Sequence, residues 1–124
     1  MGFVLDAIVV KNMVGSRDLD GTNFETINVS GVSDSVDTSG TEQGFLVLIS
    51  YANGVGNNVV FRVEGSSDNT NFGAIENAEQ TVTDSDGSVT FDLININANY
   101  IRISWEVSAG SVDIFGHLSG KRRH

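Results

Sequence analysis

The sequence has 124 residues, the usual size of one domain, and 40% of them are hydrophobic, which is enough to build a core without a metal ion. It contains no cysteine, so disulfides, thiolate catalysis and cysteine-ligated zinc or iron–sulfur sites are excluded. The formal net charge of −9 describes an acidic body that repels phosphate backbones, and nucleic acid is therefore not expected as a partner.

The first predicted element is a strand over residues 3–10, which is apolar on both faces. Asp6 interrupts this run, which is too short for a signal sequence or a membrane span, so no membrane partner is expected. A terminal strand of this kind has two interpretations: it lies deep in its own sheet, or it is buried against another subunit. Because the chain contains no proline, its edge strands must be protected by charge, bulges or a partner.

Further strands are predicted wherever apolar and polar residues alternate with a period of two. In residues 100–107, for example, Ile101, Ile103 and Trp105 share one face. Residues 45–49 are apolar on both faces, which predicts a central or covered strand, and no stretch has the apolar stripe of a helix. After the first strand, the predicted set is 24–30, 45–51, 59–64, 80–84, 88–94, 100–107 and 111–118.

Turn-forming clusters of Gly, Asn, Asp and Ser separate these strands. They predict three hairpins, which join 45–51 to 59–64, 80–84 to 88–94, and 100–107 to 111–118. The polar stretch 30–44 is predicted as a loop or crossover. The pattern indicates an all-β fold, a single antiparallel β-sandwich of the jelly-roll or immunoglobulin type with about seven to eight strands. We expect one domain over residues 1–120 and a basic C-terminal tail over residues 121–124.

One short motif occurs twice. Residues 20–27 and 68–75 both read Asp-x-Thr-Asn-Phe-x-x-Ile. The chemistry is that of a polar turn leading into a strand, in which the Asp side chain caps the turn and Phe and Ile anchor the strand that follows. A turn is the preferred interpretation, and a ligand site is the alternative.

The sequence offers no convincing catalytic or metal-binding constellation. The segment 84–87 begins like a calcium loop, but Val89 and Asn95 occupy the positions that require glycine and glutamate. His117 shares a strand face with Asp113, but no serine lies in a recognisable nucleophile setting. We therefore predict no catalytic residue, no metal, no cofactor and no enzymatic activity.

Sugar-binding sandwiches stack sugars on exposed aromatic residues, and this sequence has three aromatic residues to weigh for that role: Tyr51, Tyr100 and Trp105. Trp105 shares its face with Ile101 and Ile103, which indicates a core position, and Tyr51 extends the apolar face of its strand. Tyr100 lies on the wetter face beside Arg102, so it is the candidate for an exposed aromatic contact.

Three segments of the sequence resemble segments of small β-sandwich virion structural proteins of tailed bacteriophages. They are VEGSSDNTNF (63–72), NYIRISW (99–105) and SVDIFGHLSG (111–120), and the resemblance covers residues 45–120. It implies a capsid decoration (cement) protein, or else a small head–tail or tail component. The same segments also resemble those of discoidin-like carbohydrate-binding jelly rolls, although Phe72 stands where such modules favour a tryptophan after the polar turn.

The resemblance implies the major capsid protein or other virion proteins as partners, a homo-oligomer such as a trimer or a multi-copy arrangement, and a place on the capsid surface after synthesis in the host cytoplasm. A carbohydrate-binding or adhesion module is the alternative. The first strand is a candidate for strand addition and the basic tail for charge pairing with an acidic surface. The predicted partner-binding residues are Phe3, Val4, Leu5, Ile8, Val10, Lys121, Arg122 and Arg123.

Overall fold

A computed structural model describes residues 6–18, 21–38, 42–54, 58–94 and 98–123 of the chain, and all of its regular structure is β. The described part contains no helix, and so none that is able to cross a membrane. In chain order the strands are β1 (Asp6–Val14), β2 (Ser16–Asp18), β3 (Gly21–Asn23), β4 (Glu25–Ile27), β5 (Gly31–Val32), β6 (Val36–Asp37), β7 (Glu42–Ala52), β8 (Val59–Ser66), β9 (Gly73–Val82), β10 (Gly87–Leu93), β11 (Tyr100–Val107) and β12 (Val112–Arg123).

Ten of these strands form two antiparallel sheets of five, and the remaining two, β2 and β3, pair with each other. The first sheet has the order β1-β12-β7-β10, with β4 beside β12. The second has the order β5-β11-β8-β9, with β6 also beside β11. The predicted antiparallel sandwich is confirmed, and its strand number exceeds the prediction because several strands are only two or three residues long.

The core lies between the inward faces of the two sheets. In β8 and β11 burial alternates residue by residue, as expected for strands that have one face in the core. Trp105 is a core residue, as predicted, and its indole Nε1–H donates a hydrogen bond to the carbonyl of Val29 at 3.1 Å. The largest fully buried side chains come from both sheets: Phe61, Ile49, Ile101, Ile103, Ile114, Leu118, Val47, Val59, Val63 and Val112.

The two sheets are in close contact at Gly116 in β12. A Cβ atom at this position would lie 2.6 Å from Cδ1 of Ile103, which belongs to the opposite sheet, and 3.0 Å from Cγ1 of Val14. Both distances are shorter than ordinary van der Waals contact. The missing side chain of Gly116 therefore makes the space into which Ile103 packs.

The three predicted hairpins are wrong. Each predicted turn lies between strands, but it carries the chain from one sheet to the other, so β7 and β8, β9 and β10, and β11 and β12 are not paired. The reason is physical: Gly, Asn and Asp permit a sharp reversal in an arch between sheets as well as in a hairpin. The arches meet at one end of the sandwich, where Gly54 N–H donates to the Ser85 carbonyl at 2.8 Å.

Candidate interaction surface

The structure brings all five of the described partner-binding candidates together on β1 and β12, at one edge of the first sheet. Ile8 and Val10 lie on β1, and Ile8 is the register partner of Lys121 on β12. Arg122 and Arg123 follow in the same register, opposite Ala7 and Asp6. Lys121 to Arg123 thus continue β12 as strand residues, whereas Phe3, Val4, Leu5 and His124 lie outside the described residues.

The first strand is the end strand of its sheet. β1 pairs with β12 along one side only, and no described strand pairs with its other side. Of the two interpretations of this strand, a position deep within its own sheet is wrong. The backbone of an end strand presents N–H and C=O groups that are able to pair with another chain.

Charge is distributed unevenly between the edges of the sandwich. Five of the seven Lys and Arg residues lie on β1, β2 and the end of β12: Lys11, Arg17, Lys121, Arg122 and Arg123. We call β1 together with residues 116–123 the basic edge. The opposite side, residues 73–93, comprises β9, its turn and β10, and carries five acids and no Lys or Arg: Glu76, Glu79, Asp84, Asp86 and Asp92. We call this side the acidic edge.

The other two arginines are engaged on the outer face of the second sheet. Arg62 pairs with Glu79 on β9 and with Glu106 on β11, the latter at 3.0 Å. Arg102 pairs with Glu64 at 2.7 Å and stacks over the ring of Phe72, with its guanidinium carbon 4.0 Å from the ring centroid. These contacts span β9, β8 and β11. Both arginines are therefore occupied within the domain, and the other five Lys and Arg residues of the sequence all belong to β1, β2 and β12.

Tyr100 is half-buried on this same sheet, at the start of β11 between Asp37 and Ser66 in register. It lies near a shallow depression of about 390 Å³. The depression is lined by Gly65, Ser66, Ser67, Asn71, Gly73, Ala74, Ile75 and Ala98. Its lining is mixed, with small residues, three polar side chains and one larger apolar side chain.

The second copy of the repeated motif forms the turn beside this depression. The Asp68 carboxylate accepts hydrogen bonds from the backbone N–H groups of Thr70 (2.9 Å) and Asn71 (2.8 Å), so the predicted capping role is confirmed. The side chains of Asn71 and Ser66 also donate to it. These bonds, led by the Asn71 and Thr70 N–H groups, hold the pKa of Asp68 far below its usual range. The turn is thus fixed by an ionised carboxylate.

His117 and Asp113 lie on one face of β12 but have different neighbours. Asp113 accepts hydrogen bonds from the Thr26 hydroxyl at 2.5 Å and from the Asn53 side-chain amide at 2.8 Å, and these bonds lower its pKa. The ring of His117 stacks near Phe115, with the ring centroids 5.2 Å apart. The carboxylate of Asp113 therefore fastens β4 and the end of β7 to β12.

The acidic edge was not anticipated from the sequence. The sequence does contain an indication of the acidic edge, because no Lys or Arg occurs between Arg62 and Arg102. Its position opposite the basic edge, however, depends on the strand order of the first sheet, in which β1 and β10 are the two end strands.

No protein-family model and no curated protein matches this sequence. The fold is nevertheless shared with solved structures. The SPBc2 prophage-derived protein YomS superposes with a TM-score of 0.58 at 6% identity, over 97% of this chain and 99% of its own. VP2 of the infectious bursal disease virus subviral particle gives 0.61 at 9% identity, over 94% of this chain and 33% of its own.

A third similar structure is a truncated AlyQ with CBM32 and alginate lyase domains, with a TM-score of 0.59 at 14% identity. The match covers 98% of this chain and 35% of AlyQ. This chain thus spans about a third of VP2 and of AlyQ and nearly all of YomS. At such identities the similarities show a common fold: the chain is a two-sheet β-sandwich of a kind that occurs alone in YomS and as part of larger proteins.

Proposed function

We propose that this chain is a structural protein of a tailed-phage particle, a capsid decoration protein that binds across neighbouring capsid subunits and stabilises the shell. The observation that carries the proposal is the basic edge, which combines an end strand open to pairing with a concentration of positive charge on an otherwise acidic domain. We assign it the role of docking surface. Its partner is an acidic surface of the major capsid protein.

Two features of the similar structures support this proposal. YomS is prophage-derived and has nearly the length of this chain, and VP2 forms a viral particle and contains the same sandwich. A decoration protein acts through interfaces alone, so its individual contacts need only be modest. When many copies bind a symmetric shell, modest interfaces add up to a large stabilisation. The net negative charge of the rest of the domain keeps decorated particles from associating with each other.

Co-sedimentation tests the proposal directly. Purified protein is mixed with empty shells of the major capsid protein from the same phage, and bound copies are counted after centrifugation. We expect saturable binding that weakens as the salt concentration rises, because salt screens the attraction between oppositely charged surfaces. Absence of binding at low salt would refute the decoration role.

A charge-matched pair of variants tests the docking surface. The basic-edge variant carries Lys121→Gln, Arg122→Gln and Arg123→Gln, which removes three positive charges. Its control carries Gln80→Glu, Thr81→Glu and Thr83→Glu at exposed positions of the opposite side, with the same net change in charge. At about 0.5 kcal/mol for each exposed ion pair, the basic-edge variant should bind capsids about tenfold more weakly, and the control should bind normally. Equal weakening of both would mean that net charge, not this edge, governs binding.

A carbohydrate-binding or adhesion module is the second candidate function. The depression beside the 66–72 turn and the nearby Tyr100 are the observations that favour it, together with the similarity to AlyQ. Titration with a panel of bacterial surface saccharides distinguishes the two functions. Micromolar saccharide binding that is lost on Ile75→Trp, which fills the depression, would support the module and leave capsid binding unexplained.

A further inference from the structure

The two end strands of the first sheet lie in oppositely charged parts of the domain, with Lys121, Arg122 and Arg123 on the strand next to β1 and the five acids in residues 73–93 on and around β10. β1, of nine residues, closes the sheet on one side and β10, of seven residues, closes it on the other; no described strand pairs with the outer side of either. β12 and β7 separate them, so at about 4.8 Å per strand the two edges are about 14 Å apart. One end belongs to the basic edge and the other to the acidic edge.

We propose that the first partner of the basic edge is the acidic edge of a second copy of this chain, so that copies associate head to tail through β1 and β10. This inference rests on the proposed role of the basic edge as a docking surface and names its partner in solution. The joint continues the first sheet from one copy into the next. Because the two contacting surfaces differ, repetition gives a closed ring or a filament, not a two-fold dimer.

The charges select this pairing over the symmetric alternatives. Two basic edges repel each other, and so do two acidic edges, which is how charged residues commonly prevent edge-to-edge aggregation. Contact between an acidic edge and a basic edge is attractive. Glu76, Asp84 and Asp92 are exposed in the free domain, which leaves their carboxylates accessible to Lys and Arg residues of a neighbour. The charges thus favour contact between a basic edge and an acidic edge, and they disfavour contact between two basic edges or between two acidic edges.

In this proposal the capsid and a second copy of the chain compete for the same surface, the basic edge. A copy that is docked on the shell through its basic edge is not able to use that edge for self-association. Head-to-tail association is therefore the state of the protein before docking, and the acidic surface of the capsid takes the place of the neighbouring acidic edge.

Sedimentation velocity on matched variants tests the inference. The acidic-edge variant carries Glu76→Gln, Asp84→Asn and Asp92→Asn, and its control removes three exposed negative charges elsewhere through Glu25→Gln, Asp34→Asn and Glu106→Gln. We expect the wild-type protein and the control to form oligomers at low salt. The acidic-edge variant and the basic-edge variant should each associate about tenfold more weakly.

Mixing the two edge variants provides the decisive measurement. A mixture retains one intact basic edge and one intact acidic edge, so it should recover wild-type affinity but stop at a 1:1 dimer. Recovery also proves that both variants are folded. A wild-type protein that stays monomeric at about 100 μM and low salt, or a mixture that fails to pair, would overturn the inference. The capsid assay stays separate, because the acidic-edge variant should bind shells normally, whereas the basic-edge variant should lose both activities.

Discussion

Substitution of Gly116 by alanine tests whether the close approach of the two sheets at this residue stabilises the fold. The new Cβ would lie 2.6 Å from Cδ1 of Ile103 and 3.0 Å from Cγ1 of Val14. Ile103 is fully buried, so its side chain is not able to move aside into solvent. Relief requires either a strained rotamer of Ile103 or a small separation of the sheets.

Overpacking of this kind costs about 1–3 kcal/mol, and the lower entropy of the unfolded alanine variant returns about 0.4–1 kcal/mol. We therefore expect a net loss of about 1–2 kcal/mol in the free energy of unfolding. For a chain of this length that loss lowers Tm by about 4–8 °C. Gly73→Ala is the matched control, because a Cβ at Gly73 meets nothing within 4 Å.

Differential scanning calorimetry on four proteins completes the test: wild type, Gly116→Ala, Gly73→Ala and Gly116→Ala combined with Ile103→Val. The last substitution deletes the Cδ1 atom that the new methyl group meets, so it should cost less in the alanine background than in the wild type. Equal Tm values for Gly116→Ala and Gly73→Ala, or additive effects of the double variant, would refute the proposed contact between sheets.

Two further predictions concern the second sheet and its turn. Hydrogen bonds lower the pKa of Asp68 in the folded state, so its stabilising contribution is present above about pH 4 and is lost as the pH falls below that value. The Asp68→Asn variant should therefore be less stable than wild type at neutral pH, and the two stabilities should converge in acid. Thermal unfolding measured from pH 7 to pH 2 checks this prediction. Arg102 and Phe72 should show a coupling of about 0.5–1 kcal/mol in a double-mutant cycle of Arg102→Gln and Phe72→Leu, measured by urea unfolding; a coupling near zero would contradict the cation–π contact.

The strands with a strong alternating pattern were predictable from the sequence. The bounds predicted for residues 100–107 match β11, and the strand over residues 45–51 is central between β12 and β10, as its two apolar faces indicated. The first part of β9 escaped prediction because only two of its ten residues, Ala78 and Val82, are buried. Without a buried face, the strand has no hydrophobic period to detect.

The pairing of strands was not predictable, and neither was the relation between the two charged edges. Residues 53–58 and 84–87 have turn chemistry that is the same in a hairpin and in an arch. The choice between them depends on which buried faces meet, a property of the whole core. Individual basic residues such as Lys121 were identified from composition, but their position next to β1 follows only from the register of β12.

The central place of β12 in the first sheet has a consequence for how the chain folds. β12 contacts β1, β4 and β7, so the strand nearest the C-terminal end of the sequence is the one that joins segments made much earlier. Such a topology has a high contact order, and its loop-closure entropy must be lost before distant pairings form, which places folding on the millisecond-to-second scale. A nascent chain that ends before Val112 lacks the described strand that pairs with β1, so the first sheet is completed only after β12 has been synthesised.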